Sequence, residues 1–185
     1  MRFPHQFSWL IDNPLRRLLV SPSELTDRLS PRRGDRVLEV GPGSGYCTLE
    51  LSTCLSSAQT LHLLELQPEM LVKVRRRMHA HGLFHVTYTC GDAAAVPFRA
   101  HTFDAVLAVA VLGETRGVPD SLRALFDVLR PGGRLLVHEH LPDPDLVRFG
   151  VLNDLAEAEG FRFLQRWGWW WNYSALFERP DSNCS

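Results

Sequence analysis

The chain of 185 residues has the length of a single domain, and its 45% hydrophobic and 22% charged residues are typical of a globular protein. This composition excludes a disordered chain, a collagen-like repeat and a coiled coil. The formal net charge of -1 argues against a general nucleic-acid binder, which needs a basic face to displace counterions from phosphates.

The first twenty residues predict a retained N-terminal segment. They carry Asp12, Arg16 and Arg17 among apolar side chains and lack the continuous apolar stretch of a secretory signal, so we expect a cytoplasmic protein. The longest uncharged apolar run, residues 105–113, is about half the roughly 20 residues of a membrane span, so no membrane span is expected. Four cysteines without a C-x-x-C pair indicate neither a disulfide scaffold nor a zinc module.

An N-terminal helical arm is predicted for residues 1–30. Apolar residues recur at helical spacing over residues 7–20, and residues 21–24 form a capping box for a short helix that ends near Leu29. We expect this arm to cover the main domain, residues 31–185, with Phe7, Trp9 and Leu10 closing over a bound substrate as a lid.

Beyond the arm, short strand-like runs alternate with longer helical ones. We predict strands at residues 36–40, 61–66, 86–90, 103–109, 134–138, 161–167 and 173–178, and helices at 46–57, 68–82, 119–129 and 145–159. Five βα units and a hairpin predict an α/β fold: a doubly wound, mostly parallel, seven-stranded Rossmann-like sheet with a C-terminal antiparallel hairpin. Ligands bind such sheets beyond the carboxyl ends of the strands, so the candidate residues follow each strand.

The turn after the first strand carries glycines at alternate positions, Gly41, Gly43 and Gly45. Without Cβ atoms the backbone can turn sharply and a ligand can approach the helix N-terminus; a tight turn without a ligand is the alternative. The third glycine falls one residue too early for the dinucleotide motif G-x-G-x-x-G. This disfavours NAD but leaves an NAD-dependent oxidoreductase open.

Carboxylates follow the next two strands. Glu65 ends the second strand, where a carboxylate accepts hydrogen bonds from both ribose hydroxyls of a nucleoside. Asp92 follows the third strand, where a carboxylate could accept from the exocyclic amine of adenine. Each could instead cap a helix, but together with the glycine turn they predict a nucleoside site.

Five stretches of the chain, residues 37–52, 63–71, 90–98, 103–114 and 129–139, resemble the class I S-adenosylmethionine-dependent methyltransferases in order and spacing. The first reads VLEVGPGSGYCTLELS, and the last LRPGGRLLVHE. The resemblance is greatest to the small bacterial ubiquinone/menaquinone C-methyltransferase-like group. It implies S-adenosyl-L-methionine as cofactor and methyl transfer to a small, apolar or aromatic acceptor.

The resemblance also implies a set of cofactor-binding residues that follows the strand ends in order. In such families the residue before the glycines and the backbone after strand four hold the methionine end, the second strand end holds the ribose, and the following residues hold the adenine. Carried onto this sequence, the set is Glu39, Gly41, Gly43, Gly45, Glu65, Leu66, Asp92, Ala93 and Ala108.

The residues for the acceptor's chemistry are less well defined. The family often has a polar residue or histidine after strand four, where this chain reads AVLGE over residues 110–114. A general base is therefore sought in Glu114, Glu139 and His140, with His138 as a further candidate. Strand alternation places both histidines on one face and Glu139 on the other. A third metal ligand cannot be named, so no metal site is predicted.

Four tryptophans fall within residues 167–171. We expect some of them to line or cover a flat, apolar acceptor site at the end of the sixth strand. Packing under the N-terminal arm and a homodimer surface are the alternatives. The partner is thus predicted to be a small molecule and not a nucleic acid, since no N-P-P-Y-like turn follows strand four. A non-catalytic nucleotide-binding or interaction protein remains a further alternative.

Overall fold

The computed structural model describes residues 21–55, 61–84 and 86–181. The predicted arm of residues 1–20, including Phe7, Trp9 and Leu10, lies outside the described residues. The short helix that follows it is present as α1, Pro22–Leu29. The Ser21 hydroxyl caps this helix by accepting a hydrogen bond from the Glu24 amide at 3.4 Å, as the capping box predicts.

The remaining elements follow the predicted alternation of strands and helices. The strands are β1 Val37–Val40, β2 Leu61–Glu65, β3 Thr87–Cys90, β4 Phe103–Val109, β5 Leu129–His140, β6 Arg162–Trp169 and β7 Asn172–Glu178. The helices after α1 are α2 Tyr46–Cys54, α3 Pro68–Ala80, α4 Val118–Val128 and α5 Phe149–Ala158, with single 3-10 turns at Ala93–Ala95 and Leu112–Glu114.

All seven strands form one sheet in the order β3-β2-β1-β4-β5-β7-β6. The strands from β3 to β5 are parallel, and β7 is antiparallel to both β5 and β6. This confirms the predicted doubly wound α/β sheet with a C-terminal hairpin. The strand order reverses direction between β1 and β4, and ligands of open α/β sheets bind at such a switch point.

The predicted count of five βα units is wrong, and so are the predicted starts of two elements. The third βα unit has no α-helix among the described residues, only the 3-10 turn Ala93–Ala95. Strand β5 begins at Leu129, because the chain enters the sheet directly from α4. Helix α5 begins at Phe149 and not near residue 145, because the Asp145 amide donates to the Asp143 carboxylate at 2.9 Å in a turn that precedes the helix.

Side-chain alternation along the sheet divides the core into two layers. Helices α1, α2 and α3 cover one face, and α4 and α5 cover the other. Along β5, Val137 packs in the α4–α5 layer and Leu136 in the α1–α3 layer, so the candidate residues that end this strand also alternate. In the described part of the chain, every helix is too short or too polar to cross a bilayer.

Candidate functional site

The three glycines after β1 serve different purposes. A Cβ atom at Gly41 would lie 2.5 Å from Val111, and one at Gly45 would lie 2.5 Å from Val74, so both positions are small because of packing. Gly43 has φ +54 and nothing within 4 Å of its Cβ position. This places Gly43 where a ligand could lie directly against the backbone.

Glu65, at the end of β2, is almost fully buried at 8% exposure. Its carboxylate accepts the backbone amide of Gln67 at 3.0 Å and also those of Gly43 and Leu66. Burial raises the pKa of Glu65, and these three amides oppose the rise. The carboxylate thus joins the glycine turn after β1 to the end of β2.

Glu39 is a second buried carboxylate, on β1 two residues before the glycine turn. It accepts a hydrogen bond from the hydroxyl of Thr48, on α2, at 2.7 Å. Because Thr48 is itself fully buried, the orientation of the Glu39 side chain is fixed by the packing of α2 on the sheet.

The candidate adenine residues follow β2 and β3. Asp92 accepts the Ala94 amide at 3.0 Å and so caps the 3-10 turn, and its other carboxylate oxygen lies 3.2 Å from the Arg116 guanidinium. Leu66 is 40% exposed, whereas Ala93 is buried. The capping alternative for Asp92 is therefore present in the structure.

The candidate residue of β4, Ala108, lies close to the end of that strand. It pairs with Val40, the residue immediately before the glycine turn, and is fully buried. The cofactor set from Glu39 to Ala108 therefore follows the carboxyl ends of four adjacent strands, as the sequence predicts for a single cleft.

Glu114 lies in the 3-10 turn after β4, close to other carboxylates. Its pKa is raised to about 7, first by burial and then by the negative charges of Asp143, Asp145 and Glu65. Because the charge of Glu65 raises the pKa of Glu114, these two carboxyl groups interact electrostatically across the ends of β2 and β4. Sequence reasoning missed Asp143 and Asp145, although the alternation of proline and aspartate over residues 142–145 indicates a polar turn directly after β5.

Glu139 faces the α4–α5 side of the sheet and is fully buried. One carboxylate oxygen accepts the Val147 amide at 3.4 Å, and the other has no hydrogen-bond partner among the described residues. The pKa of Glu139 is raised to about 8, first by burial and then by Asp143. Glu139 is therefore a protonated carboxylic acid at neutral pH.

We expect Glu139→Gln to remove a pH dependence from the free energy of unfolding. In the folded wild type the proton is retained up to about pH 8, whereas the unfolded chain loses it near the ordinary value of 4.5. Stability should therefore fall as pH rises from about 5 to 8, by up to about 1.4 kcal/mol per pH unit. Glutamine stays neutral, so its advantage over the wild type should grow across this range in urea unfolding at each pH.

A matched control for this experiment is Glu157→Gln. Glu157 lies exposed on α5, and its curve of stability against pH should run parallel to that of the wild type. If the curve of stability against pH for Glu139→Gln also ran parallel to that of the wild type, the buried carboxyl group would not hold its proton.

The two histidines at the end of β5 lie on the same face, as the sequence predicts, with ring centroids 5.6 Å apart. His140 Nδ1 donates to the Leu141 carbonyl at 3.1 Å, so Nε2 is the acceptor of the neutral ring. His138 Nδ1 lies 2.9 Å from the Ser174 hydroxyl oxygen. Across the ranges that the structure describes, no group of three His, Cys, Asp or Glu side chains could hold a metal ion.

The tryptophans lie at the turn of the β6–β7 hairpin. Since β6 runs parallel to β5, this turn is at the carboxyl edge of the sheet, on the predicted ligand side. Trp169 and Trp170 are more than 70% exposed, whereas Trp167 is half-buried. Trp167, Trp169 and Trp171 line a cavity of about 380 Å³ between the hairpin and α1; Trp170 is not part of its wall.

Comparison with known proteins identifies the sequence family. Residues 37–133 match the family described as "Methyltransferase domain". The ubiquinone/menaquinone biosynthesis C-methyltransferase UbiE of Dinoroseobacter shibae is 36% identical over 144 residues, which cover 72% of this chain and 57% of that protein. UbiE of Cronobacter sakazakii is 33% identical over 138 residues, which cover 74% of this chain and 53% of that protein. The chain thus spans little more than half the length of these relatives.

Solved structures share the fold at low sequence identity. A SAM-dependent methyltransferase from Aquifex aeolicus superposes with a TM-score of 0.87 at 18% identity, over 96% of this chain and all of that one. The [4+2]-cyclase SpnF superposes with a TM-score of 0.76 at 17% identity, over 87% of this chain and 80% of that one. Since one of these proteins is named for a cyclisation, the fold alone does not decide the reaction.

Proposed function

The chain belongs to the class I S-adenosylmethionine-dependent methyltransferases, and we propose that it transfers a methyl group from S-adenosyl-L-methionine to a small, apolar or aromatic acceptor. The observation that carries the proposal is the contact between Glu65 and Gly43. It sets a buried carboxylate beside a backbone position that is open to a ligand, at the switch point of the sheet.

We assign each part of the cofactor to candidate residues at the strand ends. We assign the methionine end to Glu39 and the backbone at Ala108, and the ribose hydroxyls to Glu65. The adenine would lie between Leu66 and the turn of Asp92 and Ala93, and Gly43 would lie against the middle of the molecule. When bound, S-adenosylmethionine supplies an electrophilic methyl group on a positively charged sulfur.

Most of the rate enhancement would come from orientation of the acceptor, which can supply roughly 7 to 11 kcal/mol. A carbon or oxygen acceptor also has to lose a proton, and Glu114 is the first candidate to accept it. Because the pKa of Glu114 is about 7, about half of its carboxyl groups are ionised at neutral pH. The negative charge of Glu65, at the proposed ribose site, contributes to this raised pKa. Glu139 would first have to lose its own proton, so it is a weaker candidate for this role.

His140 is the alternative base, through its Nε2 atom.

Two observations support a ring-shaped acceptor. The hairpin presents tryptophans at the ligand side of the sheet, and the relatives are named for carbon methylation in quinone biosynthesis. A homodimer through the hairpin, the lid role of residues 1–30 and a cytoplasmic location remain predictions.

Cofactor-dependent stabilisation and turnover test the proposal. S-adenosylmethionine at a hundred times its Kd should stabilise the fold by about 2.7 kcal/mol and raise the melting temperature, whereas NADH should not. With a panel of hydroxylated aromatic acceptors, S-adenosylhomocysteine should form at a rate that rises as pH passes about 7, where Glu114 ionises. Stabilisation by NADH alone would favour the oxidoreductase. Binding without turnover on any acceptor would favour a non-catalytic protein.

A further inference from the structure

An ion pair joins the loops that follow β3 and β4. The Nε atom of Arg116, which follows the 3-10 turn after β4, lies 3.2 Å from a carboxylate oxygen of Asp92, which follows β3. In the sheet, β2 and β1 lie between these two strands. Since adjacent strands are about 4.8 Å apart, β3 and β4 are roughly 14 Å apart. The ion pair therefore connects two loops whose strands flank the ends of β2 and β1, where Glu65 and the glycine turn lie.

The turn of Asp92 is also tied to the proposed ribose site. The amide of Gly91, the residue before Asp92, donates to the carbonyl of Glu65 at 3.0 Å. Ala93, the residue after it, belongs to the α4–α5 layer of the core, as does Leu112 from the 3-10 turn after β4. The Asp92 carboxylate therefore lies at the carboxyl edge of the sheet on the α4–α5 side, next to the end of β2.

Both oxygens of the Asp92 carboxylate are held, each by a different partner. One accepts the amide of Ala94 at 3.0 Å, and the other faces the Arg116 guanidinium. Two partners on two oxygens restrict the rotation of the carboxylate group. A carboxylate offers about four lone pairs, so it can still accept a further hydrogen bond. The Asp92 side chain is 19% exposed, so a ligand can reach it.

Arg116 itself contributes little to the stability of the fold. Its side chain is 75% exposed, and an ion pair so open to water adds little to the free energy of unfolding. Among the described residues, its guanidinium pairs with Asp92 alone. The role of Arg116 therefore lies in the orientation of the Asp92 carboxylate.

We propose that Arg116 is a positioning residue for cofactor selection: it holds the Asp92 carboxylate in the orientation that accepts a hydrogen bond from the 6-amino group of adenine. The inference rests on the proposed methyltransferase function. A carboxylate fixed in this orientation also rejects a purine with a carbonyl oxygen at position 6, because that oxygen would face the negative charge with no proton between them. Without Arg116 the Asp92 side chain can turn away, and this selection becomes weaker.

Two ligands that differ only in the base test the proposal. They are S-adenosylhomocysteine and S-inosylhomocysteine, which carries hypoxanthine in place of adenine. In calorimetric titration of the full chain, by displacement for the weaker ligand, the wild type should bind the adenosyl ligand at least tenfold more tightly. Arg116→Met removes the guanidinium and keeps most of the aliphatic chain. It should weaken binding of the adenosyl ligand about fivefold and of the inosyl ligand less than twofold.

A double-mutant cycle shows whether Arg116 acts through Asp92. Asparagine at this position can still cap the 3-10 turn through its side-chain oxygen. Asp92→Asn should lower the preference for the adenosyl ligand at least tenfold, because the amide group can also donate to a carbonyl oxygen. Arg116→Met, added to Asp92→Asn, should then change the affinity for either ligand less than twofold.

The matched control is Arg123→Met. Arg123, on α4, forms an ion pair of similar exposure: its side chain is 65% exposed, and its Nε atom lies 2.9 Å from the Glu159 carboxylate. Neither residue belongs to the cofactor set, so this variant should bind both ligands like the wild type. Its melting temperature should resemble that of Arg116→Met, because each variant loses one exposed ion pair.

Three results would overturn the inference: unchanged affinity for the adenosyl ligand in Arg116→Met, equal losses for both ligands, or a further fivefold loss when Arg116→Met is added to Asp92→Asn. Binding of S-adenosylhomocysteine by the wild type separates this inference from the proposed function. Wild-type binding with any of the three results would reject the role of Arg116 and leave the methyltransferase standing. No binding of S-adenosylhomocysteine by the wild type would reject the proposed function, and with it the role of Arg116.

Discussion

Glu65→Ala should weaken S-adenosylmethionine binding tenfold to a hundredfold in calorimetric titration. The wild-type carboxylate is buried and already held by backbone amides, so it is oriented for the ribose hydroxyls before the cofactor arrives. A charge-assisted hydrogen bond to such a group is worth on the order of 1.5 to 3 kcal/mol, which gives that range of affinity. The variant also loses the acceptor for the Gly43 amide, so the glycine turn beside the cofactor is less well defined.

Two further variants separate recognition from folding. Glu65→Gln keeps the shape and one acceptor oxygen, and should retain the melting temperature better than alanine while still losing affinity. Glu69→Ala removes an exposed carboxylate from the first turn of α3, four residues further along, and should bind like the wild type. Wild-type affinity in a folded Glu65→Ala would remove Glu65 from the cofactor site.

Gly113→Ala should lower the free energy of unfolding by about 3 kcal/mol or more. Gly113 lies in the 3-10 turn after β4, and a Cβ atom there would lie 1.8 Å from the backbone oxygen of Asp145. A backbone contact cannot be relieved by a side-chain rotation, so the turn and the loop after β5 would have to separate. The expected fall in melting temperature is roughly 10 °C for a chain of this length.

The control for this substitution is Gly150→Ala. Gly150 lies in α5, and nothing is within 4 Å of its Cβ position. Because alanine favours a helix over glycine, this variant should be as stable as the wild type or more stable by up to about 1 kcal/mol. If Gly113→Ala unfolds at the wild-type urea concentration, the turn and the loop do not pack as described, and the surroundings of Glu114 change with them.

Local patterns were sufficient to predict most of the sheet. Alternation of apolar runs gave the seven strands, and the capping box at Ser21 gave the start of α1. The boundaries that were predicted wrongly depend on strand pairing or on turns whose hydrogen bonds compete with those of a helix. The start of α5 is an example, since the turn of Asp143 and Asp145 takes residues that a helical pattern would include.

The candidate site was predictable to the same extent. Carboxylates at consecutive strand ends could be read from spacing, because parallel strands bring their carboxyl ends to one edge. Spacing could not show why individual residues are required, since those reasons lie in tertiary contacts. Gly41 and Gly45 are required by Val111 and Val74, which are distant in sequence, and the burial that makes Glu139 an acid is a property of the packed sheet.

The position of β7 has a consequence for how the sheet is completed. In the sheet that the described residues form, β7 lies between β5 and β6, so β6 is joined to the other strands only through a segment that follows it in the chain. During synthesis β6 leaves the ribosome first and has no strand to pair with until β7 has emerged. A polypeptide that ends before Asn172 would lack β7 and leave β6 without a partner strand. The sheet would therefore lose two strands, and the cavity would lose one of its walls.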